Sequence, residues 1–235
     1  MTKRTSTWIA VAIVAMAILL AYNFYLLNTT QTAKEDKATT VKPFYTMSRI
    51  QYVEKKLSTK EDALEARTYE VVFDDQGHFR TEVIEGPSTG TTAIWDGEMF
   101  REYDADGKLT NETKASKSVS APRPFLSRGF NEQILKFIDN GDFGQIEGEA
   151  DIAGNAADVY VKKEPASTVP EEWIKQYPSF FDKEENREEA TYYVASDRSK
   201  VLGAESRNNG KLFYSVKMKK IEALDEFDPA WLKMK

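Results

Sequence analysis

The chain has 235 residues, 41% hydrophobic and 30% charged, a balance that suits a folded globular protein and excludes collagen, low-complexity chain and wholesale disorder. Its 32 basic and 38 acidic residues give a net charge of −6 with no concentrated basic stretch, so nucleic acid is not expected as a partner. Cysteine is absent and His78 is the only histidine, which removes disulfides, thiolate metal sites, cysteine nucleophiles, cysteine lipidation and any multi-histidine centre within one chain.

Lys3 and Arg4 precede an apolar run from Trp8 to Ala21, which Phe24 to Leu27 extend beyond Asn23. Trp8 to Leu27 matches the ~20 residues that a helix needs to cross a bilayer, with Trp8 at one end and Tyr22 and Tyr25 at the other as an aromatic belt. A cleaved signal peptide competes, since Ala15-Met16-Ala17 has the small-x-small form. Cutting there would leave Ile18 to Leu27 as an apolar stump, so an uncleaved signal anchor is expected. The charges before the span then put residues 1–7 in the cytoplasm, 8–27 across the cell membrane as a single pass, 28–42 outside as a polar tether, and 43–235 outside as one domain.

Beyond the tether the pattern is mainly β. Arg49–Ser58, Arg67–Phe73, His78–Glu85, Thr91–Trp95, Met99–Tyr103 and Leu109–Lys114 read as short strands, separated by turn sequences such as Asp74-Asp-Gln-Gly77, Asp96-Gly97 and Asp104-Ala-Asp-Gly107. After the proline-containing stretch 121–124, Asn131 is a good N-cap for a helix over Glu132–Asn140, with Phe130 and Leu135 as a hydrophobic staple. Phe130, Ile134 and Ile138 give that helix one apolar face to cover. Strands resume at Gln145–Ile152 and Ala157–Val161. An acidic insert, 164–189, follows, with a capping box at Thr168-Val-Pro-Glu171 and a helix that Pro178 ends. Thr191–Ala195, Val201–Ser206 and Leu212–Ile221 close the chain as strands, and Asp228-Pro229 caps a last turn.

Several of these stretches resemble the LolA/LolB-like lipoprotein-carrier superfamily, which includes RseB-like regulators. They are Phe79-Arg80 with Glu82, Ile94-Trp-Asp-Gly-Glu98, Arg101-Glu-Tyr-Asp104, the helix with Phe130 and Ile134-Leu135, Ile152-Ala-Gly154 with Asp158-Val-Tyr-Val161, Asp197-Arg198 with Val201-Leu-Gly203, and the closing Ile221 to Phe227-Asp-Pro. The resemblance is spread over most of Phe44 to Lys235 in short, tolerant pieces. It implies an α+β, mainly β fold: a curved, incomplete antiparallel β-barrel with a few helices across its concave face, and an apolar cavity that takes lipid acyl chains in relatives. A cleaved signal peptide, as in LolA carriers, and a lipidated cysteine, as in LolB, are the features on which this chain departs from the pattern.

The candidate ligand-binding residues are Phe73, Phe79, Trp95 and Phe100 on strands with Phe130, Ile134, Leu135 and Ile138 on the helix. The same residues suit an ordinary packed core, because periodicity tells which side chains face inward and not whether they leave room. In the insert, Trp173, Tyr177, Phe180 and Phe181 suit a flap over the cavity mouth, a protein-docking edge, or an insertion packed on the domain. The acidic turns are explained by turn chemistry without a metal. His78 is expected to face solvent. No nucleophile–base–orienter set can be named, which leaves an enzyme the weakest reading, with no catalytic residues and no cofactor expected. Two functions follow. The first is a membrane-anchored extracytoplasmic protein holding a lipid or an acylated protein or peptide. The second is an RseB-like envelope-stress sensor that acts on a membrane protein partner without carrying anything.

Overall fold

A computed structural model describes residues 47–58, 61–114, 126, 128–143, 146–183 and 185–234. The expected anchor and tether, and the proline-containing stretch 121–124, lie outside the described residues. Among the described residues no helix is long and apolar enough to cross a membrane.

The described strands are β1 (Ser48–Leu57), β2 (Leu64–Phe73), β3 (Phe79–Glu85), β4 (Thr92–Trp95), β5 (Met99–Tyr103), β6 (Leu109–Lys114), β7 (Ile146–Ile152), β8 (Asn155–Lys163), β9 (Glu188–Ala195), β10 (Val201–Asn208) and β11 (Lys211–Ala223). Helices α1 (Arg128–Asp139) and α2 (Glu171–Gln176) interrupt them, and Pro229–Leu232 forms a 3-10 turn. The strands join in one antiparallel sheet of order β6-β5-β4-β3-β2-β1-β11-β10-β9-β8-β7. From β1 at the centre the chain meanders to one edge. It crosses to the other edge through α1 and then meanders back, until β11 pairs with β1.

The eleven described strands answer one for one to the eleven stretches read as strands in the sequence. Turn chemistry explains the meander. At Asp96-Gly97 the Asp96 carboxylate accepts the amides of Glu98 and Met99, while Gly97 takes φ +93°, which a side chain resists.

The sheet curls. Eleven strands at ~4.8 Å spacing would spread over roughly 48 Å if flat, whereas the 12 residues of α1 reach only about 18 Å. Yet a single apolar cluster joins Phe130, Ile134 and Ile138 of α1 to buried residues of β1, β2, β3, β4, β8, β9, β10 and β11. Strands β7 and β11 also approach each other although three strands separate them in the order. The sheet is therefore an open, curved trough, and α1 is the helix that contributes to its core. The resemblance implies several helices there; α2 belongs instead to a separate apolar cluster.

Both expected helix caps need correction. Helix α1 starts at Arg128, so Asn131 is inside it, fully buried, and its Oδ1 accepts the Val201 amide at 2.6 Å. This residue reaches β10, 70 positions away. Helix α2 has Pro170 at its N-cap position with no side-chain cap, because Ser167 pairs with Asn186 and keeps the chain extended past Thr168. Its C-terminal residue is Gln176, just before Pro178 as expected.

The α1 seam yields a prediction. Asn131→Leu keeps the volume but strands the Val201 amide in the core, and is expected to cost about 1–3 kcal/mol in urea unfolding. Amide exchange at Val201 should accelerate more than at Val216, in the centre of the sheet. Equal acceleration at both sites would remove the special role of this bond.

Candidate functional site

Register brings the four strand candidates into one row. Phe73 pairs with Phe79, Phe79 with Trp95, and Trp95 with Phe100, so four large rings line up across β2, β3, β4 and β5 on one face. Phe73, Phe79 and Trp95 are buried and Phe100 packs partly buried against them, with the Phe79 and Phe100 rings 6.4 Å apart and tilted by 58°. Phe130, Ile134 and Ile138 are buried in the same cluster and Leu135 lies at its margin. All eight residues thus meet between α1 and the trough. Among the contacts that hold α1 in place are the Asn131–Val201 bond and an ion pair between Asp139 and Arg198 in the β9–β10 turn.

The centre of the trough is not wholly apolar. Tyr52 and Tyr69 stack at 4.9 Å, and the Tyr69 hydroxyl donates to Glu54 Oε2 at 3.3 Å. Glu54 is 6% exposed and follows the parity of Ile50 and Tyr52 along β1. That parity was the signal in the sequence, but a glutamate between Val53 and two lysines reads as a solvated face. Tyr192, on the same covered face, has its phenol held well above the usual tyrosine range by burial, with the charge of Glu164 adding to it.

The insert candidates form their own cluster. Tyr177 and Phe181 are buried with Val169 around Phe213, and Leu57, Trp173, Ile174 and Phe180 pack partly buried against them. Trp173 stands edge-on to Tyr177 and to Phe181. Tyr214 of β11 touches both clusters. The insert rests at the ends of β1 and β11, and its aromatic residues are largely spent on holding it there. His78 also departs from expectation. It is only partly exposed, and its Nδ1 lies 2.7 Å from Asp74 Oδ2.

A feature that sequence reasoning missed lies where the insert leaves β8 and rejoins β9. There an open groove of about 510 Å³ is lined by residues 163–166, Arg187, Glu188, Glu189, Asn209 and Gly210. Lys163 pairs with Glu189, and the Glu164 amide donates to the Glu188 carbonyl. Two carboxylates of like charge therefore face each other across the strands. Burial, with the nearby Glu164 charge, pushes the Glu188 carboxyl up to about 7.

No protein-family model matches the chain, and no curated protein does. Solved structures are similar to it at low identity. The MucA/MucB complex of Pseudomonas aeruginosa is matched at 14% identity and TM-score 0.45, over 80% of this chain and 56% of that one. The chain thus spans little more than half of the MucB-complex chains it is matched to. Lipoprotein LppX of Mycobacterium tuberculosis is matched at 11% identity and TM-score 0.38, over 89% of this chain and 98% of that one. A LolA superfamily protein of Nitrosomonas europaea is matched at 10% identity and TM-score 0.34, over 80% and 90%.

Proposed function

We propose that this is a membrane-anchored binding protein, not an enzyme, whose domain works outside the cytoplasm and holds a lipid or lipid-modified ligand between α1 and the trough. The observation that carries the reading is the row Phe73–Phe79–Trp95–Phe100 beneath a single amphipathic helix. A helix held to the sheet by side-chain packing and side-chain contacts such as Asn131–Val201 and Asp139–Arg198 can lift without breaking the sheet's hydrogen-bond ladders. An acyl chain entering beneath it would be driven by about 0.8 kcal/mol per CH₂ removed from water. Release would reverse the movement of α1.

The test is native mass spectrometry on the full chain held in amphipol, followed by organic extraction. A stoichiometric lipid or acylated peptide is the expected result. A chain that arrives empty and takes up no acyl probe would overturn the reading.

A regulatory interaction protein is the second reading, and the free sheet edge favours it. All six residues of β6 are exposed, and β6 has β5 on one side and no described strand on the other. Such an edge offers backbone hydrogen-bonding groups to a partner's strand.

A further inference from the structure

Trp95 is 3% exposed, and its indole Nε1 is buried without an acceptor. Its partners along the row are the rings of Phe79 and Phe100, which offer none. Indole can only donate, and a buried donor left unpaired costs free energy that phenylalanine, with a similar ring, would not incur. The residue is therefore poor as mere core filling and well suited to meeting an oxygen atom that arrives with a ligand. The charge of that oxygen can be argued as well. Among the described residues the buried charged side chains are carboxylates, Glu54, Asp74 and Glu205, with no buried lysine or arginine. An anionic group entering the trough would find no buried cationic side chain among the described residues as counter-ion, so the acceptor should be neutral.

We propose that Trp95 determines ligand specificity: its indole N–H donates to the carbonyl oxygen of an ester-linked acyl chain. This rests on the lipid-binding reading above. It adds that the ligand is an acyl ester rather than a free fatty acid, a plain hydrocarbon or an ether lipid. The ester could belong to a membrane glycerolipid or to the diacylglyceryl group of a modified protein, which share this chemistry.

The test uses the full chain in amphipol with three probes: dioleoylglycerol, its dioleyl ether analogue and a synthetic diacylglyceryl lipopeptide. The wild type should bind the diester about tenfold more tightly than the diether, the worth of one buried hydrogen bond. Trp95→Phe should bind both at the diether's level. Tighter binding of the lipopeptide than of dioleoylglycerol would assign the ester to a modified protein, and the reverse to a membrane lipid. A readout independent of the variant's folding is the Trp95 indole N–H resonance of the wild type, which should move downfield with the diester and not with the diether. Equal affinity of the wild type for diester and diether, or a preference that survives in Trp95→Phe, overturns the role of Trp95 and leaves the lipid site standing. Failure of the wild type to bind any of the three overturns both.

Discussion

Replacing Ile134 by alanine is expected to lower the stability of the domain by about 2–5 kcal/mol, and an acyl probe is expected to restore part of the loss. Ile134 is 4% exposed at the centre of the apolar face of α1, one turn from both Phe130 and Ile138. Truncating it removes packing atoms and leaves a void that the curved sheet cannot close without moving several strands. A core and a binding site respond alike to this first step. They differ in the second, because a site whose helix can lift lets a hydrocarbon chain occupy the void. At a hundred times its Kd, such a ligand returns about 2.7 kcal/mol. Urea unfolding with and without monoolein measures both quantities. Phe181→Ala, 3% exposed in the separate insert cluster, is the control: its site under α1 is intact, so it should lose comparable stability and gain from monoolein only what the wild type gains. If monoolein stabilises neither wild type nor Ile134→Ala, the residues under α1 are a core and nothing more.

The contrast between these clusters marks where sequence reading succeeds. Alternation and Asp-Gly turns are local, so the strands could be placed within a few residues of their observed ends, and Phe73, Phe79, Trp95 and Phe100 could be assigned inward. That the four form one row depends on the register of three strand pairs, which no single stretch encodes. Asn131 was misread for a related reason. Cap rules look a few residues along the chain, whereas the donor it satisfies, Val201, is 70 residues distant. The insert's aromatic residues looked available because their partner, Phe213, lies on a strand that sequence places far away. Glu54, beside two lysines, and Glu188, at a strand end, were passed over because glutamates in such settings normally face water. Only the fold places Glu54 in the trough and Glu188 against Glu164.

Glu188 gives the second large effect, an expected gain in stability when its charge is removed. Burial first, and the Glu164 charge second, raise its carboxyl from 4.5 to about 7. The sign follows from proton counting: between pH 4.5 and 7 the folded chain keeps a proton that the unfolded chain has released. Stability attributable to Glu188 therefore falls as pH rises through that window, and the penalty is complete above pH 7. Glu188→Gln should be indistinguishable from wild type near pH 4. At pH 8 it should be more stable by about 1–2 kcal/mol, a figure already reduced for solvent screening in an open groove. A domain of this size should then melt about 2–4 °C higher per kcal/mol. Among the described residues the window is clear of other shifted carboxylates. Burial alone would raise Glu205, but hydrogen bonds and charge from Lys217 and Arg207 outweigh it, and the Met99 and Glu98 amides with Arg101 likewise outweigh the burial of Asp96. Both titrate below their ordinary values, so their contributions vanish only in acid. Melting curves of the two proteins from pH 4 to 9 decide the matter. Parallel curves would mean that Glu188 titrates as an ordinary glutamate, and that the groove at the root of the insert holds no strained carboxylate pair.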